Sequence, residues 1–427
     1  MRITPSTTDV AIVSFEGPDR YSTVGGLATR VTDLAPALVG RGYAVTHLFI
    51  GDPSLPHEER SPDGPFRLVR WGQWISRYHP RNVYDGEWGK WRDLSNNGPT
   101  WLVDEVIVPA TTRGRQAVLL FEDWQTAECA YQTAERAYVR GVSRNCVALW
   151  NANNTYGCGG IDFARLVWTN RITTVSRWMR SELEPFGVRD AIVVPNGIAE
   201  RMLSPISPAD LAALRRAKGD ALVFVKVARF DPDKRWLGAI DGIAELRSRG
   251  ARVRFLFRGS ASPYRDEVLA HPHRRGLSAT RLALPPDTAT RDFANALAAM
   301  REDVAFLDFF LSERLLRALY ATADGVLANS EREPFGLVGL EVMGARGIAY
   351  VGTTGEDYAL PLGNCVVLRT DDARELAEAA IYLHERPELA QRIRSEGRQT
   401  ARRYAWPRVI EDMELVWEYA AERVARG

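Results

Sequence analysis

Short apolar runs, each nearly continuous in Val, Ile, Leu and Phe, alternate with longer stretches of helical spacing along the whole chain. This alternation limits the possible folds more than any other feature. An antiparallel strand with one wet face alternates apolar and polar residues. A continuous apolar strand is buried on both faces, as in a parallel sheet covered by helices. Such runs lie at Ala11–Phe15, Tyr43–Ile50, Ala117–Glu122, Cys146–Asn151, Ile172–Ser176 and Ala191–Pro195, and again at Ala221–Arg229, Val253–Gly259, Val304–Phe309, Gly325–Asn329, Ile348–Thr353 and Cys365–Arg369. Between them, Leu27, Val31, Leu34, Ala35 and Leu38 keep the 3.6-residue period up to Gly40–Gly42. Leu376, Ala379, Ala380 and Leu383 keep it up to Pro387.

Six runs fall on each side of about residue 198. The fold class expected is α/β, with two facing, doubly wound Rossmann-like domains and a ligand cleft between the carboxyl ends of their sheets. The expected parts are 1–198, 199–406 and a terminal helix over 407–427 that crosses back. The segment 53–109 breaks the rhythm. It carries Trp71, Trp74, Tyr78, Tyr84, Trp88, Trp91 and Trp101, and reads as a long aromatic loop inserted in the first domain.

A chain of 427 residues is too long for one core. Its 55 basic and 54 acidic residues leave a formal charge of +1, which argues against nucleic acid as a partner. No run reaches the ~20 apolar residues of a membrane span, and Val10–Phe15 is short for a signal-peptide core. Peripheral membrane contact is left open. Cys129, Cys146, Cys158 and Cys365 are scattered, which suits a reducing compartment, so a cytoplasmic location is expected.

The segment Glu331 to Gly347 holds the most chemistry. It follows the run Gly325–Asn329 and predicts a helix opening near Pro334 or Phe335. A helix start offers free amides and a positive dipole end to an anion. Gly336 permits close approach of a ligand to the backbone. Glu333 and Glu341 flank these amides, up to ~12 Å apart if helical throughout. That spacing suits the two ends of a nucleotide-sugar, or simply two solvated glutamates on a capped helix.

Glu333-Pro-Phe-Gly-Leu-Val-Gly-Leu-Glu341 resembles the E-x7-E motif of retaining glycosyltransferases of the GT-B fold, family 4 type. Val227-Ala-Arg-Phe-Asp-Pro-Asp-Lys-Arg235 is similar to that family's diphosphate-gripping loop. Val194-Pro-Asn-Gly-Ile198 resembles its inter-domain crossing, and Thr23-Val-Gly-Gly-Leu27 its glycine loop. Phe121-Glu-Asp-Trp-Gln-Thr-Ala127 resembles a stretch of glycogen and starch synthases, and Tyr404-Ala-Trp406 the family's final crossing. The resemblance implies that Arg229 and Lys234 bind the donor diphosphate, and that Gly25 and Gly26 let a loop close on it. It implies that Glu341 holds the ribose. Glu333, with the backbone of Phe335, Gly336, Leu337 and Val338, would hold the transferred sugar and its phosphate.

Two positions depart from the synthases. Thr23 stands where they carry Lys, and no His follows Val147–Trp150. Asn151 or Asn153 would take the place of that His. Asp123 either lines the cleft or caps the helix after it. Trp74, Trp88 and Trp91 either stack on an acceptor sugar or anchor their loop. Asp231 and Asp233 have metal-binding spacing but suffice as turn residues, and His271-Pro-His273 reads as a surface loop.

The resemblance implies hexosyl transfer, with retention, from a UDP-, GDP- or ADP-sugar to a carbohydrate or small-molecule acceptor. No cofactor or metal is expected. An epimerase on the same fold and a non-catalytic nucleotide-sugar binder are the alternatives.

Overall fold

The computed structural model describes residues 2–62, 64–260 and 262–426, with side chains described as far as Glu422. The chain divides into two compact units. The first comprises Met1–Gly197 with Ala405–Gly427, and the second Ile198–Tyr404. Ala405 and Trp406, placed at the end of the second domain from sequence, thus belong to the first unit.

The first unit is built on β1 (Thr8–Ser14), β2 (Ala44–Ile50), β3 (Glu58–Arg60), β4 (Phe66–Trp71), β5 (Gln116–Glu122), β6 (Cys146–Ala152), β7 (Arg171–Thr174) and β8 (Ile192–Val193). The sheet order is β3-β4-β2-β1-β5-β6-β7-β8, parallel throughout except for the antiparallel β3–β4 pair. Every residue of β1, β5 and β6 is buried, the burial that a continuous apolar run predicts. The second unit carries β9 (Leu222–Val227), β10 (Val253–Arg258), β11 (Ala279–Leu282), β12 (Val304–Leu307), β13 (Gly325–Ala328), β14 (Ala349–Val351) and β15 (Val366–Val367). Its order is β11-β12-β10-β9-β13-β14-β15, all parallel.

Each of the twelve expected runs holds a strand. Three further strands, β3, β4 and β11, lie at or next to sheet edges and carry charge among their apolar residues. Charge on an edge blocks unwanted pairing and also hides the strand from a search for apolar runs.

The aromatic insertion is largely helical, not a loop. Helix Glu87–Leu102 runs into a single π-helical stretch, Val103–Ile107, and on into helix Val108–Thr112. Gly98 and Pro99 lower the intrinsic helix propensity. Packing against the helix Trp124–Val139 overrides it. A Cβ at Gly98 would stand 3.1 Å from the Cys129 sulfur, so glycine permits the close approach. Lys90, buried in the same helix, donates to the Tyr21 hydroxyl (2.5 Å) and to the carbonyls of Val83 (2.9 Å) and Asp85 (2.6 Å), tying down the loop before it.

The first unit's core joins β1, β2, β5 and β6 with helix Gly26–Arg41 and the C-terminal helix Trp406–Arg426. Trp406, Val409, Ile410, Met413 and Trp417 of that helix are buried within it. Trp406 lies so close to Gly197 that a Cβ there would fall 2.3 Å from its indole.

Candidate active site

In an open parallel sheet, ligands meet the carboxyl ends of strands where the strand order reverses. In the second unit that point lies between β9 and β13. The loops after these two strands carry the motifs singled out from sequence.

After β13 the chain turns through Glu333 to Gly336, which takes a left-handed φ of 83° and precedes helix Leu337–Gly344. The helix therefore opens at Leu337, later than the expected Pro334 or Phe335. A Cβ at Gly336 would press on Glu356 and the Tyr358 hydroxyl, both at 2.8 Å. The amides of Leu337 and Val338 open the first turn, where no intrahelical acceptor exists. Glu341 is half-buried in the second turn. Because residues 333–336 are not helical, helical rise does not set the Glu333–Glu341 spacing. Phe335 is a packing residue: it is buried between Tyr358 and Tyr404, each 6.0 Å away centre to centre.

After β9, Asp231 accepts from the Asp233 amide (3.0 Å) and forms the short turn that carries Lys234. The Lys234 ammonium donates to Glu333 Oε2 at 2.8 Å. Two residues 99 apart in sequence thus meet as an ion pair, with both side chains one-fifth exposed. The Glu331 amide bonds to the Asp233 carbonyl at 2.8 Å and fixes the two loops together. The Arg229 side chain is exposed beside them.

Sequence reading missed two buried ionisable groups here. Lys226 interrupts the apolar run of β9, and its ammonium reaches Asn329 Oδ1 at 2.6 Å. Burial, reinforced by Lys234, lowers its pKa to about 7. The charge inside an apolar run was the available signal. Glu356 accepts from the Gly352 amide (3.2 Å) and the Thr354 amide (3.0 Å). Burial, with the nearby Glu333 charge adding to it, raises its pKa to about 7. No spacing announced it.

In the first unit the order reverses between β1 and β5. Gly25 precedes helix Gly26–Arg41, but this helix start is already occupied. Glu16, buried at the end of β1, accepts from the Gly25 and Ala28 amides, both at 3.0 Å, and from the Tyr84 hydroxyl at 2.5 Å. A diphosphate closing on Gly25 and Gly26, as the resemblance implied, would meet a carboxylate there.

Asn151 and Asn153 both donate to Glu122 Oε2, at 3.0 and 2.8 Å. Asn151 also accepts from Thr173 (2.8 Å), so both of its amide atoms are engaged and it is a poor substitute for the missing His. The Asn153 amide oxygen is buried without a partner, which leaves it an acceptor to offer. Arg30 grips Glu122 through Nε at 3.0 Å and also donates to Asn196.

Asp123 occupies the residue before helix Trp124–Val139 with φ 64°, strained for a non-glycine residue. Its carboxylate does not cap that helix. It accepts instead from the Asn153 amide and Asn154 Nδ2, both at 2.8 Å. Burial raises its pKa to about 7, against the lowering effect of the Asn153 amide. Trp88 and Trp91 meet edge to face at 4.7 Å, and Trp91 approaches Trp124 at 6.4 Å. Trp74 is exposed and belongs to no such ring contact among the described residues. His271-Pro-His273 lies in helix Arg265–Arg274 rather than a loop, with His271 bonded to Asp241 at 2.5 Å.

No family model matches the chain, and no curated protein matches its sequence. Solved structures do match. The catalytic domain of starch synthase IV from Arabidopsis thaliana, bound to ADP and acarbose, is 16% identical with a TM-score of 0.69, over 99% of this chain and 100% of that one. A trehalose-phosphate synthase (UDP-forming) from Burkholderia xenovorans, in complex with glucose-6-phosphate, is 14% identical with a TM-score of 0.65, over 96% and 100%. A sucrose-phosphate synthase from Thermosynechococcus elongatus is 17% identical with a TM-score of 0.63, over 96% and 98%. The likeness is one of fold: the chain has the two-domain α/β architecture of GT-B glycosyltransferases. Among the described residues no helix is long and apolar enough to cross a membrane.

Proposed function

We propose that the chain is a retaining glycosyltransferase that moves a hexosyl group from a nucleoside-diphosphate sugar to a carbohydrate or small-molecule acceptor in the cytoplasm. The observation that carries this reading is the second unit's switch point. There the Lys234–Glu333 ion pair stands beside the helix start that Gly336 introduces.

Transfer requires a diphosphate to leave with its negative charge. Arg229, Lys234 and the amides of Leu337 and Val338 supply fixed positive charge and donors for it. A metal ion is then unnecessary, and Asp231 is engaged in its own turn. Glu333 would face the positive charge that develops on the sugar ring, and Glu341 would hold the ribose. No residue is placed as a covalent nucleophile. The acceptor attacks from the side the diphosphate leaves, and the leaving phosphate takes the acceptor proton. The protein's contribution is orientation and preorganised charge. Asn153 is the better of the two asparagines for a hydrogen bond to the transferred sugar.

The test is incubation of the full chain with UDP-, GDP- and ADP-sugars, alone and with an acceptor library, read by mass spectrometry and by product anomer. A new α-linked product from an α-donor supports the proposal. An epimerised donor, or binding with no product, would replace it with one of the two alternative readings.

A further inference from the structure

A pocket of about 620 Å³ opens in the first unit beside the insertion. Trp88, Trp124 and Tyr156 line it, together with His79, Glu87 and Gly157. The rings are joined by a chain of edge-to-face and tilted contacts. Trp88 packs on Trp91, Trp91 on Trp124, and Trp124 meets Tyr156 at 6.2 Å. Trp88 is 71% exposed and Tyr156 73%, so these rings are not spent in a core. The Trp124 ring is held in place by the loop that also lines the pocket. A Cβ at Gly157 would come within 2.5 Å of the Trp124 indole, so the loop backbone lies directly against that ring.

A polar group stands in the same wall, the Glu87 carboxylate. Gln125 is only 3% exposed, and its Nε2 donates to Glu87 Oε1 at 3.1 Å, which orients the wall carboxylate. The carboxylate in the wall is Glu87, and the imidazole of His79 lies in the same lining. No Lys or Arg is among the lining residues. Lys90 is engaged with Tyr21 and backbone carbonyls, and Arg81 with Asp85 at 3.0 Å.

We infer that this pocket receives an uncharged sugar ring of the acceptor and discriminates against sugar phosphates. The inference rests on the glycosyltransferase reading and names the acceptor class for it. The C–H face of a pyranose lies flat on aromatic rings. Its hydroxyls donate to the Glu87 carboxylate. A phosphate dianion would be partly desolvated beside the Glu87 carboxylate, with no Lys or Arg in the wall to meet it, which is unfavourable.

The experiment uses the full chain and three probes, methyl α-glucoside, maltose and glucose-6-phosphate, with binding read by tryptophan fluorescence and calorimetry. At least one neutral probe should bind tenfold or more tightly than glucose-6-phosphate. Trp88→Ala should weaken that binding at least tenfold, and Trp88→Phe should restore most of it. Glu87→Lys should shift the preference towards glucose-6-phosphate. Nucleoside-diphosphate affinity, measured in the same variants, should not change. Binding of glucose-6-phosphate as tight as that of the neutral sugars, failure of both neutral probes to bind, or indifference to Trp88→Ala would each overturn the inference. Loss of nucleoside-diphosphate binding in the unaltered chain, with Trp88-dependent sugar binding intact, would instead remove the transferase reading and leave the pocket as a sugar site.

Discussion

The two units share one plan and use it in opposite ways. Each has a parallel sheet whose order reverses beside a glycine-led helix. In the first unit a carboxylate of the chain, Glu16, fills the helix start, and more acid surrounds it. In the second, the helix behind Gly336 opens next to Lys234, Lys226 and the exposed Arg229. A glycine-led helix at the switch point therefore does not by itself make an anion site. The side chains that close or leave open the helix amides decide it, because a buried carboxylate cancels the positive end of the dipole. This comparison underlies the proposal that the second unit takes the diphosphate and the first a neutral partner.

The sharpest way to break that division is at Glu333. Glu333→Gln should lower kcat by a hundredfold or more, the scale of losing one preorganised transition-state charge, with little change in nucleoside-diphosphate affinity. If calorimetry shows the affinity lost and kcat kept, the donor lies the other way along the helix. Glu341→Gln should mainly raise donor KM.

Next come the cations. Arg229→Ala and Lys234→Ala should each weaken donor binding and slow transfer at least tenfold, since a charge-assisted contact contributes about 1.5–3 kcal/mol. Unchanged kinetics in both variants would remove the diphosphate from the second unit. Saturating EDTA should leave the rate intact; a rate that EDTA abolishes and Mg²⁺ restores would give Asp231 and Asp233 a role beyond their turn.

The mirror experiment in the first unit is Glu16→Ala. It removes the acceptor for two amides and should cost about 1–2 kcal/mol of stability, the scale of a lost helix cap. Nucleoside-diphosphate binding should hold; a large gain in it would show that the plug guards a second anion site.

A further expectation concerns stability against pH. Asp123 and Glu356 titrate at about 7 when folded, against ordinary values of 3.8 and 4.5. Between those limits the folded chain keeps protons that the unfolded chain has released, so these groups make stability fall as pH rises. Lys226 titrates at about 7 against an ordinary 10.5. Between those values the unfolded chain holds the extra proton, so its contribution makes stability rise with pH. Melting temperatures from pH 4 to 10 should show a minimum near neutrality. Asp123→Asn should flatten its acid arm and Lys226→Met its alkaline arm; arms unaffected by both changes would mean the groups stay charged.

The sheets were legible because their strands are apolar on both faces, which leaves a continuous signal in sequence. β3 and β11 were not, because an edge strand needs only one apolar neighbour and carries charge. Helix Glu87–Leu102 was hidden by Gly98 and Pro99, whose cost is met by packing that sequence does not display. At the site, the resemblance to the family's motifs pointed to Lys234 and Glu333, which prove to be 2.8 Å apart. It could not show that Glu16 closes the glycine loop, because hydrogen bonding to an amide leaves no pattern in composition. For the same reason Asn151 read as a free amide although Thr173 and Glu122 hold both of its ends.

The return of helix Trp406–Arg426 to the first unit has a consequence for the order in which the protein can be made. The first unit is not a continuous stretch of chain. Its core lacks Trp406, Ile410 and Trp417 until the second unit has been synthesised in full. During translation the first sheet must wait with Tyr43 and its neighbours uncovered, while the later-made second unit is already complete in sequence. A chain stopped at Tyr404 would thus retain the whole second unit and still fail in the first.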